Sequence, residues 1–374
     1  MNFDLTDEQT MLREALTRFL ADRYGFEARR ALRKEDLGWS RPVWAWLAGQ
    51  GYLGVSFSED DGGLGGGAVE TMIVGEACGA HLLAEPYLAT VVAAGTALRL
   101  SGNAALRRAV VPRIAAGEVV ASFANDEPPP SAGREPMTAI LSGDGWSLSG
   151  EKINIVHGDS ADRLLVTAAT PGGLGVFLID PSARGAVRRG YATFDGLHAA
   201  DIRLNDTPAV AALALGPEAE ILVERVYQNM IAFLAAEAVG IMRMLLELTC
   251  EHLRTRVQFG QPLARFQALQ HRAVEMLVAI EQAESIKIYA AMMTEEPDPV
   301  ERCKAFAAAK AVIGGAARLV GQGAVQLHGG IGVTDEHLVG WGMKRLTMIE
   351  IMLGDTDHHI AALADLGGFL AAAE

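Results

Sequence analysis

The fold of this chain is decided by two stretches, Arg256-Val-Gln-Phe-Gly-Gln-Pro-Leu263 and Gln326-Leu-His-Gly-Gly-Ile-Gly332. Both sit in sequence with helical periodicity, and no catalytic group stands beside either of them. The first contains an arginine and the second a pair of glycines, which hold ligands through hydrogen-bond donors and close backbone approach. We therefore interpret these stretches as binding elements that need chemistry supplied from elsewhere.

Helical patterns surround the two stretches and also open the chain. Long helical runs are predicted over Glu218–Arg254, Ala264–Met293 and Val300–Gly323. Near the N-terminus, Thr6 and Gln9 fit a capping box, and apolar residues then recur at helical spacing. Three further helices are predicted in this region, around Val43–Gly51, Ala68–Ala80 and Pro86–Ser101.

The pattern changes in the middle of the chain. The glycines of Asp61–Gly67 interrupt the first helical region, because so many glycines are unlikely to lie inside one helix. After Val119, short apolar runs alternate with turn residues, which predicts strands. These strands are expected over Val119–Phe123, Gly145–Leu148, Arg163–Ala168 and Val176–Ile179. The sequence thus predicts an α-helical domain over residues 1–117, a β-domain over 118–215 and an α-helical bundle over 216–374.

Composition limits the classes of function. The chain has 374 residues, of which 50% are hydrophobic and 21% charged, so it is globular and long enough for more than one core. A net charge of −14 argues against a nucleic-acid partner, which would need a cationic face. The three cysteines, Cys78, Cys250 and Cys303, are far apart and lack the spacing of metal ligands. We expect free thiols, no metal and a cytoplasmic location.

No signal peptide or membrane span is expected. The acidic N-terminus lacks the basic-then-apolar order of a signal peptide. The most apolar stretch, Met230 to Leu248, carries Glu237, Arg243 and Glu247, which make membrane insertion unfavourable. A mean hydropathy of +0.19 predicts that another subunit covers part of the surface.

The two stretches resemble the flavin-binding motifs of the acyl-CoA dehydrogenase family. The segment from Gly51 to Gly65 is similar to that family's N-terminal glycine-rich segment, and the three motifs occur in the family's order. The resemblance covers nearly the whole chain. It implies the acyl-CoA dehydrogenase fold, which is mainly α with a β-domain: an N-terminal α-domain, a middle β-domain and a C-terminal four-helix bundle. The implied cofactor is FAD and the implied substrate an acyl-CoA.

The resemblance also assigns cofactor-binding residues. Arg256 would pair with the pyrophosphate and Phe259 would lie against the cofactor. Gln267 would make the next contact with the cofactor. We expect Gly260 to end the helix before it. Gln326 would offer an amide to the flavin's polar groups. The last two assigned residues are Gly329 and Gly330, which would admit the nucleotide. An alternative is that Arg256 makes a surface ion pair and the glycines only end a helix.

The resemblance fails where the flavin ring would lie. Family members carry a loop similar to Thr-Glu-Pro-Gly-Ala-Gly-Ser-Asp and then Lys-x-Trp-Ile-Thr. Here the loop is replaced by residues 125–133, Asn-Asp-Glu-Pro-Pro-Pro-Ser-Ala-Gly, and the second motif reads Lys152-Ile-Asn-Ile-Val. Tryptophan is replaced by Asn154 and threonine by Val156, which cannot donate a hydrogen bond to flavin N5.

The catalytic base is also missing. The family's glutamate position is matched by Leu353, and the alternative base position of some branches is matched by Met230, followed by Ile231. Glu350 would lie about 4.5 Å along a helix from position 353, at 1.5 Å per residue. Asp355 is a substitute only if the backbone shifts, and His358 and His359 are expected to be structural.

These patterns predict a subunit rather than a complete enzyme. The family's motifs donated to a neighbour are kept, and those a subunit uses itself are lost. We expect this chain to complete the FAD site of a glutamate-bearing partner in an α₂β₂ acyl-CoA dehydrogenase, similar to the small subunit of the pimeloyl-CoA dehydrogenase type.

Two alternatives stay open. One is a self-sufficient homotetramer that uses Asp355, and the other is a flavin-free binding or scaffold protein on the same fold. For either dehydrogenase, the resemblance implies an acceptor of the electron-transfer flavoprotein type. The sequence does not specify the acyl chain, including whether it is a fatty acid or a steroid side chain.

Overall fold

The computed structural model describes residues 4–143 and 145–368. No helix among these residues combines the length and apolar character needed to cross a bilayer. The chain divides into two compact units, each assembled from separated segments. Unit 1 comprises Met1–Arg30, Ala68–Leu83 and Ile231–Glu374, and unit 2 comprises Ala31–Gly67 and Ala84–Met230. The three predicted domain boundaries stay a prediction.

Eleven helices are present in the described residues. The N-terminal region contains α1 Asp7–Arg23, α2 Phe26–Leu32, α3 Arg41–Gly49, α4 Ala68–Ala80, α5 Gly95–Leu100, which continues a π-helical segment Leu88–Ala94, and α6 Ala104–Ala115. The C-terminal region contains α7 Pro217–Thr255, α8 Gln267–Met293, α9 Pro299–His328, α10 Leu338–Ile351 and α11 Thr356–Asp365. The predicted capping box is confirmed, since the Gln9 backbone N–H donates to Thr6 Oγ1 and the Thr6 N–H to Gln9 Oε1.

The middle of the chain forms one mixed sheet. Its strands are β1 Ala121–Ala124, β2 Thr138–Ser142, β3 Gly145–Val156, β4 Arg163–Thr170, β5 Gly173–Ile179, β6 Ala186–Ala192, β7 His198–Pro208 and β8 Ala211–Leu215. The order is β6-β7-β3-β2-β4-β5-β8, and β1 pairs in parallel with β4. Leu148, Leu164, Val166, Phe177 and Ile202 lie in its buried core. A mainly helical chain with a sheet in the middle is thus confirmed.

Buried ion pairs connect the helices of unit 1. Arg345 on α10 donates from Nε and Nη2 to both carboxylate oxygens of Glu237 on α7, at 2.6 and 2.8 Å. On α8, the Lys287 Nζ lies 2.6 Å from carboxylate oxygens of Glu76 and Glu284. Because an unpaired charge is very unfavourable in the interior, these pairs fix which helices pack together.

Several elements were not predicted. Short helices α2 and α6 were missed, as were α10 and α11 at the C-terminal end and the strands β2, β6, β7 and β8. The burial pattern of β6 explains one omission: most of its residues are exposed, so it lacks the apolar signal that identifies a strand.

The first motif does not lie in a helix, contrary to expectation. Helix α7 ends at Thr255, and two short strands, β9 Val257–Gln258 and β10 Gln261–Pro262, form an antiparallel hairpin. Gly260 therefore does not terminate the helix but lies in the hairpin turn. The physical reason is that this turn needs positive φ angles, which an α-helix cannot contain.

We expect the Glu237–Arg345 pair to be important for stability. Glu237→Gln leaves the Arg345 guanidinium buried without its counter-charge and should lower the free energy of unfolding by about 3–5 kcal/mol in urea titrations. Glu281→Gln is the matched control, because this glutamate is 58% exposed, and the change should stay within about 0.5 kcal/mol. A loss for Glu237→Gln no larger than that of the control would contradict the prediction.

Candidate functional site

The first motif is presented on an exposed hairpin. Phe259 and Gly260 occupy its turn with φ angles of 54° and 81°, and the Arg256 backbone N–H donates to the His252 carbonyl at the end of α7. A non-glycine residue with positive φ is uncommon, and here it points to a fixed turn conformation. The Phe259 side chain is 89% exposed, although its ring lies edge-on to Phe266 at 6.1 Å. The aromatic ring is thus available to another molecule.

The second motif lies where α9 ends. Gly329 caps the helix with φ 66°, and a Cβ added to either Gly329 or Gly330 would meet no atom within 4 Å. Gln326 is exposed, whereas the two residues between it and the glycines are buried. The backbone here is open to a ligand, and the buried neighbours hold it in place.

Both motifs fit the nucleotide half of the FAD that the resemblance implies. Arg256 is exposed, and within the described residues its guanidinium forms no hydrogen bond or ion pair. The alternative of a surface ion pair is therefore not what the structure contains. Gln267, the first residue of α8, is exposed as well. Guanidinium and amide donors and an open glycine pair suit a pyrophosphate and its nucleotide.

On unit 2, a buried lysine organises the loop after β1. The Lys152 Nζ donates to the Asn125 carbonyl, Glu127 Oε1 and Thr167 Oγ1 at 2.8–2.9 Å, which uses all three of its hydrogens. Burial lowers the pKa of Lys152 and raises that of Asp126 at the rim. These residues line an open recess of about 500 Å³. The polar groups of the loop bind one another, and carboxylates stand at the edge of the recess.

The strand beside this recess does not fit a flavin ring. Asn154 has φ 55° at a break in the β3–β7 register, and its side-chain oxygen accepts from the Tyr191 hydroxyl at 3.2 Å. Val156 continues the strand opposite Ala199 and offers no side-chain donor. The structure thus supplies neither an aromatic platform nor a hydroxyl at these two positions.

The segment matching the family's base is a turn rather than part of a helix. Helix α10 ends at Ile351, and Leu353 and Gly354 follow with φ angles of 60° and 94°. Lys310 on α9 is 2% exposed, and its Nζ donates to the carbonyls of Glu350 and Gly354 at 2.7 and 2.8 Å. Burial lowers the pKa of Lys310 to about 8. This ammonium thus fastens both ends of the turn.

Apolar residues surround the same turn. Leu353 packs against a buried cluster that includes Ile231, Ala290 and Phe306. Met230, the other base position, is 8% exposed. No proton acceptor is supplied by either family position.

The nearby acids have other partners. Glu350 is buried and accepts from Arg318 Nη2 at 2.6 Å. Asp355 caps α11 by accepting from the His358 backbone N–H at 2.8 Å, and this hydrogen bond lowers the pKa of Asp355. His359 Nε2 bonds to the Leu353 carbonyl at 2.9 Å. The expected one-turn helical offset between Glu350 and position 353 was wrong, because the helix ends between them.

Comparison with known proteins identifies the family. Residues 6–118 match the acyl-CoA dehydrogenase N-terminal domain, and residues 225–366 match the acyl-CoA dehydrogenase C-terminal domain. The chain belongs to the acyl-CoA dehydrogenase family. The family fold is confirmed as well, because solved structures match over the whole chain.

Three relatives illustrate the similarity. A probable acyl-CoA dehydrogenase of Bacillus subtilis, YngJ, is 27% identical, with 96% of this chain and 97% of the relative covered. A variant of the Tcur3481–Tcur3483 steroid ACAD superposes with a TM-score of 0.88 at 29% identity, covering 96% of this chain and 97% of the other. A chain of the ChsE4–ChsE5 complex of Mycobacterium tuberculosis superposes with a TM-score of 0.90 at 25% identity, covering 100% of this chain and 100% of the other.

Some residues of the site were not identified from the sequence. Lys310 gives no local signal, since its partners are carbonyls 40 and 44 residues away in the chain. His328 lies inside the second motif, and its contacts with His252 and His337 arise only in the folded chain. Among the described residues, no group of His, Cys, Asp or Glu is arranged to hold a metal ion.

The flavin assignment can be tested at Arg256. Arg256→Ala removes a charge-assisted contact worth about 1.5–3 kcal/mol, so flavin affinity of the assembled complex should fall by roughly 10- to 150-fold. Equilibrium dialysis with FAD measures this. Arg254→Ala, an exposed arginine of the same helix end, is the control. Equal flavin affinity in the two variants would refute the role given to Arg256.

Proposed function

We propose that this chain is the flavin-completing subunit of a heteromeric, FAD-dependent acyl-CoA dehydrogenase. In this proposal a partner subunit carries the catalytic glutamate, and this chain presents the cofactor-binding residues of its two motifs to the partner's flavin. The observation that carries the proposal is the contrast within unit 1. The residues assigned to the cofactor, Arg256, Phe259, Gln326, Gly329 and Gly330, are exposed, whereas the base position is filled by Leu353 in an apolar cluster.

The chemistry explains why a partner is needed. Dehydrogenation removes a proton from the α-carbon of the thioester, which requires a carboxylate at that atom. FAD, when bound, accepts the hydride from the β-carbon. Leu353, Met230 and Ile231 have no group that accepts a proton. This chain's own residues would therefore bind and orient the nucleotide end of the cofactor while the partner's carboxylate moves the proton.

The relatives support an assembly of two different chains. Two of the solved structures carry pairs of protein names, Tcur3481–Tcur3483 and ChsE4–ChsE5, and the first is called a steroid ACAD. By analogy, we propose an acyl-CoA with a steroid or similarly bulky side chain as the substrate class of the complex. An electron-transfer flavoprotein-type acceptor would reoxidise the cofactor.

A self-sufficient homotetramer is the second candidate. It would use Asp355, the acid closest in sequence after Leu353. The structure gives that carboxylate a different task, because it accepts the N-terminal hydrogen bond of α11 and its pKa is lowered. A carboxylate stabilised in its ionised form is a weaker base. A flavin-free scaffold is the third candidate, and the exposure of Arg256 and Phe259 speaks against it.

The proposal is tested by expressing the chain alone and with a partner. Alone, it should bind little FAD and oxidise no acyl-CoA, because both base positions and the ring contacts are absent. Co-expression with a glutamate-bearing dehydrogenase subunit, such as one encoded by a neighbouring gene, should give one flavin per pair of chains and restore turnover. Absorbance at the flavin band and mass of the complex measure this. A homotetramer with a flavin in every chain and measurable turnover would overturn the proposal.

Asp355→Asn separates the first two candidates. Asparagine is also a good N-cap, so α11 and the assembly should be retained while the proton acceptor is removed. In a heteromeric complex, kcat should change by less than about 2-fold, whereas loss of a general base costs about 10²–10⁴-fold. Steady-state turnover of the complex gives the answer, with Asp357→Asn, an exposed acid on the same helix, as control. A drop of the larger size in Asp355→Asn alone would favour the self-sufficient enzyme.

A further inference from the structure

Three histidines meet at the helix ends that carry the two flavin motifs. His252 lies in the last turn of α7, just before Arg256, and His328 is the last residue of α9, between Gln326 and Gly329. Their rings stack with centroids 4.5 Å apart and an interplanar angle of 25°. His337, at the start of α10, lies 5.0 Å from His328 on the ring centroids. The motifs are thus linked by a continuous row of imidazoles, here called the histidine stack.

Hydrogen bonds define the protonation of the central ring. His328 Nδ1 donates to the Ala324 carbonyl at 2.9 Å, since a carbonyl can only accept. Its Nε2 is buried and has no hydrogen-bond partner in the described part of the chain. His337 Nδ1 accepts from the Val339 backbone N–H at 3.3 Å. A second proton on His328 would therefore be a buried N–H without an acceptor, next to two other rings.

The charges around the stack also oppose protonation. Within the described residues no carboxylate pairs with any of the three rings, and the positive charge of Arg256 acts on His252. Burial lowers the pKa of His252, and repulsion from His337 and then from Arg256 adds to the effect. Burial likewise lowers the pKa of His328; the hydrogen bond to the Ala324 carbonyl acts in the opposite direction, and repulsion from His252 and His337 adds to the lowering. The partial negative charge at the ends of α7 and α9 acts in the opposite direction.

We propose that the histidine stack positions the two flavin motifs relative to each other and makes the nucleotide half-site dependent on its rings being neutral. This inference rests on the proposed function, because it concerns how that half-site is kept in shape. His252 and His328 are positioning residues here: they act through Arg256 and the glycine pair rather than on the cofactor itself.

The direction of the pH dependence follows from the lowered pKa values. In an unfolded chain, or in one whose three rings have separated, a histidine binds a proton with an ordinary pKa near 6.5. In the closed arrangement, with the rings in contact, His252 and His328 bind protons only at lower pH. The closed arrangement is therefore fully favoured above pH 6.5 and loses stability as the pH falls below it. An opposing effect exists, since a protonated His252 would add positive charge near the pyrophosphate. We expect the loss of the closed arrangement to dominate, because it displaces both motifs, so flavin retention should fall as the pH falls.

The test follows flavin retention of the assembled complex between pH 7.5 and 5.5. Dissociated flavin is detected by its fluorescence, and retention should weaken by up to about 10-fold per pH unit for each proton taken up. His328→Asn keeps a donor at the position of Nδ1 but cannot titrate, so its retention should depend on pH less steeply than that of the unmodified complex. His252→Gln, which removes the stacking neighbour, should do the same. His271→Gln, an exposed histidine on α8, should follow the unmodified complex.

A second measurement does not need the cofactor. Thermal unfolding of the chain in the same pH series should show its melting temperature falling below pH 6.5, and falling less in His328→Asn. If the complex binds no flavin at pH 7.5, the proposed function fails, and the melting series alone decides the inference. Flavin retention that stays constant or rises toward pH 5.5, or melting curves that respond to pH equally in both proteins, would overturn the role of the stack.

Discussion

The buried ammonium of Lys310 is the interaction on which the candidate active-site segment depends. A lysine in the interior is unfavourable unless its hydrogens are satisfied, and here two of them go to backbone carbonyls on either side of one turn. Because the partners are carbonyls, the turn is held whatever side chain stands between them. This explains how Leu353 keeps a left-handed backbone that leucine by itself disfavours.

The motifs on unit 1 and the loop after β1 on unit 2 differ in how their polar groups are engaged. On unit 1, a hairpin turn presents the exposed Arg256 and Phe259, and a helix end presents two glycines where an added Cβ would meet no described atom within 4 Å. On unit 2, the polar groups of the loop after β1 are engaged with Lys152 and with one another, and Asn154 is engaged with Tyr191. A subunit that binds its partner's flavin would need exposed side chains such as those on unit 1. It would not need free polar groups in the loop on unit 2.

Buried ion pairs fix how several helices of unit 1 pack together. The Glu237–Arg345 pair joins α7 to α10, and the Lys287–Glu76 pair joins α8 to α4, so the helices on either side of the first motif are both fixed to neighbouring helices. Small movements of helix ends matter for a site formed by backbone groups, because misplacement of a group by about 1 Å can lower a reaction rate by about 10²-fold. The histidine stack lies at three of these ends, which is why its protonation has consequences for the motifs beside it.

The sequence alone predicted the family, the order of helical and β regions, and apolar side chains at Leu353 and Met230. Each depends on residue type and local periodicity: Leu353 and Met230 cannot accept a proton in any conformation, and the glycine pair marks a close approach of backbone. What only the tertiary structure decided is where these residues stand. Chain packing places Phe259 and Gly260 in a hairpin turn and Leu353 in a turn held by Lys310. It also brings three histidines together. The Lys310 contacts alone join residues 40 and 44 positions apart, and no local pattern encodes a contact across such a distance.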